Sequence, residues 1–101
     1  MLEFIGPNEL MEYINRRNVL IIDVRDKEAY LDHHIVNAVN IPYDVLVNGR
    51  CNLNKRNPVI LYCDRGNTSL KAGVKLSSHG YSVMTLAGGI EGLREYLNTP
   101  E

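Results

Sequence analysis

Cys63 is the residue of this chain best placed to do chemistry. It ends the apolar run Val59-Ile60-Leu61-Tyr62 and precedes a short polar stretch, Asp64-Arg65-Gly66-Asn67-Thr68, that leads into a helix-like segment from Ser69. A thiol between a strand and a helix N-terminus faces unpaired backbone N–H groups and the positive end of the helix dipole, and both favour the anionic sulfur. Gly66 and Asn67 are the residue types that most readily take left-handed backbone angles, which lets the chain curl with successive N–H groups turned toward the sulfur. Arg65 adds a positive charge, whereas Asp64 opposes a thiolate unless its carboxylate points outward. A sulfur activated in this way is a nucleophile for covalent catalysis. The competing reading is a structural cysteine that closes a strand as a small hydrophobe.

Other residues of suitable type are less well placed. Asp23 and Arg25 end an apolar run and resemble a catalytic pair, but an ion pair fixing a strand-to-helix turn explains them more simply. His33 and His34 are adjacent, and neighbours on a helix point about 100° apart, so they cannot chelate a metal from one face. No cysteine or carboxylate stands at a matching ligand spacing, which argues against a metal site. His34 is expected to pack or hydrogen-bond near the site, and His79 to cap the carbonyl end of its helix. Tyr13, Tyr81 and Tyr96 read as amphipathic residues at the edge of the core.

The elements that must position Cys63 alternate along the chain. Strands are predicted over Leu2 to Ile5, Val19 to Ile22, Ala38 to Ile41, Val59 to Tyr62 and Ser82 to Leu86. Helices are predicted from Gly6-Pro7 to about Arg16, from an N-cap at Asp26 to about His33, over Tyr43 to Val47, from Ser69 to His79 with Gly80 at its C-cap, and over Ile90 to Leu97. Inward faces are assigned to Leu10, Met11 and Ile14, to Ala29, Tyr30 and His34, to Ala72, Gly73 and Leu76, and to Ile90, Leu93 and Leu97. This order predicts an α/β domain over residues 1–101 with a central, mainly parallel sheet of about five strands and helices on both faces. Ligands of such sheets bind at the carboxyl ends of the strands, where Cys63 falls. The turn after Asp23-Val24, the Asn40-Ile41-Pro42 end and the Gly88-Gly89 turn open onto the same edge and are expected to wall the site. The same topology sends Cys51, in a polar surface loop, to the opposite edge. Four strand residues span roughly 13 Å, beyond the about 7 Å Cα separation a disulfide tolerates, so Cys51 is not expected to resolve Cys63.

Composition narrows the setting. The 101 residues are 45% hydrophobic and 23% charged with a net charge of −1, an ordinary globular balance with no basic excess for nucleic acid or an anionic membrane. No apolar stretch approaches the roughly 18 residues of a membrane span, and the N-terminus lacks the pattern of an export signal. Two cysteines are not a disulfide scaffold, so a reducing cytoplasm is expected, in which the thiol stays available. Oligomeric state is not legible.

Taken together, these segments resemble the rhodanese-like domain family, the single-domain sulfurtransferases. The resemblance spans nearly the whole chain: Leu20-Ile21-Ile22-Asp23-Val24-Arg25, His34-Ile35 with Ala38-Val39-Asn40-Ile41-Pro42, Ile60-Leu61-Tyr62-Cys63 with Gly66-Asn67-Thr68-Ser69, and Ala87-Gly88-Gly89-Ile90. Three positions depart from the family pattern: His33 and Asn37 stand where glycines are usual, and Leu93 where a tryptophan often follows the Gly-Gly-Ile turn. The resemblance implies that Cys63 is the catalytic nucleophile and that Asp64, Arg65, Gly66, Asn67, Thr68 and Ser69 form the substrate-binding loop. It implies a two-step transfer in which Cys63 takes the outer sulfur of a donor such as thiosulfate, becomes a persulfide, and passes that sulfur to cyanide or a cellular thiol, without metal or organic cofactor. The partners are then a small sulfur-donor anion, or a protein persulfide, and a thiol acceptor. Arg65 is the candidate for attracting an anionic donor.

Two other functions fit the same architecture. Related phosphatases place an arginine six positions after the cysteine, but here that position is Ser69, and a tetrahedral dianion loses its bidentate clamp. A non-catalytic or carrier module, binding a partner or relaying sulfur from a protein persulfide, is the stronger alternative. Retention of the cysteine in a compact Gly-containing loop favours the enzyme.

Overall fold

The computed structural model describes residues 1–16, 18–49 and 52–98. Five strands alternate with five helices: β1 (Leu2–Ile5), α1 (Pro7–Tyr13), β2 (Leu20–Asp23), α2 (Lys27–Asp32), β3 (Val39–Asn40), α3 (Tyr43–Val47), β4 (Val59–Tyr62), α4 (Asn67–Ser78), β5 (Val83–Leu86) and α5 (Gly89–Asn98). All pairings are parallel, in the order β1-β5-β4-β2-β3. The predicted α/β class and five-stranded parallel sheet are therefore present. β4 and β5 are buried along their full length, as expected of parallel strands covered on both faces.

The strands' alternation divides the core into two layers. On one side Ile5, Ile21, Ile60, Tyr62, Met84 and Leu86 pack with residues of α1, α2 and α5, including Leu10, Ile90 and Leu93. On the other, Ile22, Val24, Val59, Leu61, Cys63 and Val83 pack with Leu46 of α3 and Ala72 and Leu76 of α4. Helices thus cover both faces. Gly73 lets α4 lie close to the sheet, since a Cβ there would sit 2.9 Å from Thr85 Cγ2 and 3.0 Å from Leu2 Cδ1.

Several expected boundaries and faces shift, each for a local reason. α1 stops at Tyr13, three residues before the expected Arg16, where the Arg16 N–H bonds the Tyr13 carbonyl in a tight turn. β3 is two residues long because the Ile41 N–H still bonds the Asp23 carbonyl at 3.0 Å but Pro42 has no N–H to extend the ladder. α4 starts at Asn67 rather than Ser69, so the only left-handed residue of the cysteine loop is Gly66 (φ 109°), and Asn67 is already helical. Met11, His34 and Leu97 are exposed instead of inward. For Met11 and Leu97 the covered stripe is narrower than the apolar periodicity. His34 lies beyond the end of α2 and stacks on the Tyr30 ring, centroids 3.9 Å apart.

The departures from the family pattern also find their explanations. Asn37 adopts φ 70°, the region that asparagine tolerates better than other residues with a side chain, and its amide donates to the Ile14 carbonyl at 2.8 Å. His33 has φ −166°, extended backbone that needs no glycine. Leu93 is buried in the layer with α1.

Candidate active site

The sheet register builds the site. β2 and β4 pair with Asp23 opposite Tyr62, so the next residues bring Val24 beside Cys63 and Arg25 beside Asp64. The Val24 N–H donates to the Tyr62 carbonyl at 3.0 Å. Cys63 is 5% exposed, and the chain turns back over its sulfur at once.

Two backbone donors converge on Sγ: the N–H of Gly66 at 3.1 Å and that of Ser69 at 3.3 Å. Gly66 makes the convergence possible, because its positive φ turns the chain into α4 so that the Ser69 N–H comes back to the sulfur. The Ser69 hydroxyl lies 3.5 Å from Sγ and donates to the Gly66 carbonyl at 3.2 Å, bracing the turn from within. Gly66 and Ser69 therefore hold the sulfur. The remaining loop residues Asp64, Arg65, Asn67 and Thr68 line an open cavity of about 480 Å³ with Cys63, Val24, Arg25, Asp26, Ala29 and Tyr43.

The Gly88-Gly89 turn, expected as a wall, is instead the support beneath the loop. The N–H groups of Ile90 and Glu91, in the first turn of α5, donate to the carbonyls of Cys63 and Asp64 at 2.9 and 3.0 Å. Gly89 lies so close that a Cβ would fall 2.5 Å from the Cys63 carbonyl oxygen. The Asn40-Ile41-Pro42 end likewise lies outside the cavity lining, which Tyr43 reaches in its place.

Asp23 and Arg25 form the buried pair expected of them. Arg25 Nε donates to both Asp23 carboxylate oxygens at 3.1 Å, and Nη2 donates to Asp23 Oδ2 at 2.8 Å and to the His33 carbonyl at 2.6 Å. The hydrogen bond to Asp23 raises the guanidinium's already high pKa, so it carries its charge at every relevant pH. What sequence reasoning missed is its second role: Nη1 reaches Asp64 Oδ1 at 3.3 Å. No local sequence signal marks this contact, because it depends on the register that sets Asp23 opposite Tyr62. Tyr62 completes the network. It is fully buried, its hydroxyl accepts the Ile35 N–H at 3.0 Å, and burial raises its pKa, with Asp23 adding to the effect.

The other assignments resolve simply. His79 Nδ1 meets the Lys75 carbonyl at 2.8 Å at the end of α4, as expected of a cap. His34 bonds the Tyr30 carbonyl and does not line the cavity. Cys51 lies outside the described residues. Among the described residues no three metal-binding side chains cluster, and no helix is long and apolar enough to cross a membrane. A second cavity of about 480 Å³ is lined by Leu46, Leu53, Lys55, Lys75, His79 and Tyr81 among others.

Comparison with known proteins agrees with the fold. The model of the rhodanese-like domain matches residues 6–96. The chain is 33% identical over 92 residues to the thiosulfate sulfurtransferase GlpE of Coxiella burnetii, covering 90% of this chain and 86% of that protein. A rhodanese-related protein from Thermoplasma volcanium superposes with a TM-score of 0.84 at 28% identity, over 97% of this chain and 95% of that one. A rhodanese homolog from the extreme thermophile Thermus thermophilus does so with 0.78 at 30% identity, over 90% and 100%. Sequence, strand order and solved relatives converge, and the chain belongs to the rhodanese-like domain family.

Proposed function

We propose that this protein is a sulfurtransferase that carries sulfane sulfur as a persulfide on Cys63. The observation that carries the reading is the convergence of the Gly66 and Ser69 N–H groups on Sγ, at 3.1 and 3.3 Å, at the base of an open cavity. Fixed donors of this kind stabilise negative charge on sulfur without reorganising during the reaction. The thiolate attacks the outer sulfur of a donor such as thiosulfate. The donor's sulfur–sulfur bond breaks, its electron pair leaves with sulfite, and a new sulfur–sulfur bond joins the transferred atom to Sγ. A nucleophilic acceptor, cyanide in an assay or a thiol in the cell, then takes the outer sulfur and returns the thiolate. No metal or organic cofactor enters either step. A cytoplasmic setting, in which free thiols persist, suits the chemistry.

The cradle also argues against phosphoryl transfer. Ser69, at the position where a phosphatase needs its arginine, spends its N–H and hydroxyl on Sγ and the Gly66 carbonyl, and Arg65 precedes the helix.

The test is intact-protein mass spectrometry of wild type and Cys63→Ser after incubation with thiosulfate, with thiocyanate release followed in parallel. A reductant-sensitive gain of one sulfur atom in wild type alone, with turnover that Cys63→Ser abolishes, is expected. Turnover retained in a folded Cys63→Ser protein would contradict the assignment of the nucleophile.

A further inference from the structure

We infer that Asp64 sets the charge class of sulfur donor that this site accepts, selecting against small dianions such as thiosulfate in favour of donors with one negative charge or fewer near the transferred sulfur. The inference rests on the sulfurtransferase reading above. It begins with the guanidinium of Arg25, whose side chain is 4% exposed and lines the cavity beside Cys63. Nε and Nη2 are held from below by Asp23 and the His33 carbonyl. Nη1, the nitrogen that reaches the cysteine loop, is engaged by Asp64 at 3.3 Å. Asp64 therefore competes with an incoming anion for Arg25 Nη1, the one guanidinium nitrogen not held from below.

Asp64 itself is 65% exposed, at the mouth of the cavity and adjacent in the chain to the nucleophile. The lining carries two cations, Arg25 and Arg65, against two carboxylates, Asp26 and Asp64, with the Asp23 carboxylate buried directly beneath Arg25. A dianion entering this cavity meets no net positive field. Among the described residues, Arg65 is the one lining cation without a described partner. Substituting Asp64 by a neutral residue removes a negative charge from the donor's path and weakens the hold on Arg25 Nη1, which an Asn amide oxygen can still accept from as a neutral acceptor and which the shorter Ser leaves free for the donor's oxygens.

The chemistry of loading is the same for either donor class. With thiosulfate the electron pair of the broken sulfur–sulfur bond leaves on sulfite, and with methanethiosulfonate, a monoanion, it leaves on methanesulfinate. In both cases the transferred sulfur ends bonded to Sγ and carries the negative charge that the thiolate brought, so no outside oxidant or reductant is required.

The experiment measures kcat/KM for thiosulfate and for methanethiosulfonate, with cyanide as acceptor, in wild type, Asp64→Asn and Asp64→Ser, at low and high ionic strength. The Cys63 adduct is confirmed by mass for each donor. Both substitutions should raise kcat/KM for thiosulfate by roughly fivefold and for methanethiosulfonate by about twofold, because the electrostatic gain scales with donor charge. The thiosulfate gain should shrink as salt is added, whereas the wild-type rate should change little. An equal change for the two donors, or a gain indifferent to salt, would overturn the inference and leave Asp64 as a loop-shaping residue. If both donors load Cys63 and the ratio does not move, the inference fails while the sulfurtransferase reading stands. No adduct from either donor in any of the three folded proteins sinks both.

Discussion

Arg65 is the residue whose contribution is most open to a direct kinetic test. It is exposed, lines the cavity and precedes the left-handed Gly66, so its side chain can approach a bound donor without taking part in the cradle. Arg65→Ala is expected to raise KM for thiosulfate by roughly threefold to tenfold with a smaller fall in kcat, as befits a group that attracts the ground state and the transition state alike. Steady-state kinetics at two salt concentrations checks this, and an unchanged profile would mark Arg65 as a solvated surface charge. At this scale the sequence was informative about Cys63 and its loop, because residue type and order alone specify a thiol, a glycine turn and a helix start. It was less informative about Asp64, whose charge opposes a thiolate on paper but is partly neutralised by Arg25 across the sheet.

Among the elements, the first turn of α5 does more than its amphipathic pattern indicates. Ile90 and Glu91 donate their N–H groups to the carbonyls of Cys63 and Asp64, so the helix end fixes the loop from below while the start of α4 fixes the sulfur from above. Gly89 permits this approach, at φ 62° and with no room for a Cβ beside either carbonyl. Gly89→Ala forces the loop and the helix apart in addition to straining the backbone, and a loss of roughly 1 to 3 kcal/mol in stability is expected from the backbone alone. Sulfur loading of Cys63 should fall by more than the loss of folded protein accounts for. Urea unfolding together with adduct mass would test this, and full loading in a stable Gly89→Ala protein would show that the loop does not depend on α5. The Gly-Gly pair was visible in the sequence as a turn. Its role as a foundation was not, because the contact joins segments that are distant along the chain.

For the whole molecule, the network of Asp23, Arg25, Tyr62 and Ile35 ties the carboxyl edge of the sheet to the segment after α2. Burial raises the Tyr62 pKa above its ordinary value near 10. The folded state therefore keeps the phenolic proton at pH values where the unfolded chain has lost it, and folding stability should decline as pH rises above about 10. Tyr62→Phe should lessen that decline, while at neutral pH it costs roughly 1 to 3 kcal/mol because the buried Ile35 N–H loses its acceptor. Denaturant unfolding of both proteins between about pH 8 and pH 11, a range that brackets the ordinary tyrosine pKa, checks the two effects separately. Equal alkaline slopes would show that Tyr62 does not govern the high-pH loss.

The sequence alone determined the α/β class, the parallel sheet, and the place of Cys63 and its loop at the end of a strand. Each depends on short-range pattern: unbroken apolar strands, helical periodicity and the residue types that permit a turn. It also carried the family resemblance, from the order of segments such as Asp23-Val24-Arg25 and Cys63 with Gly66 and Ser69. Only the tertiary structure decided which residues meet across the sheet. The offset that sets Asp23 opposite Tyr62 carries Arg25 to Asp64 and turns an apparent liability beside the thiol into one end of an ion pair. It also decided which apolar residues are covered, leaving Met11 and Leu97 in solvent while burying Leu10 and Leu93. Local pattern records what a residue can do, whereas strand register and helix placement, set by long-range packing, determine what it touches.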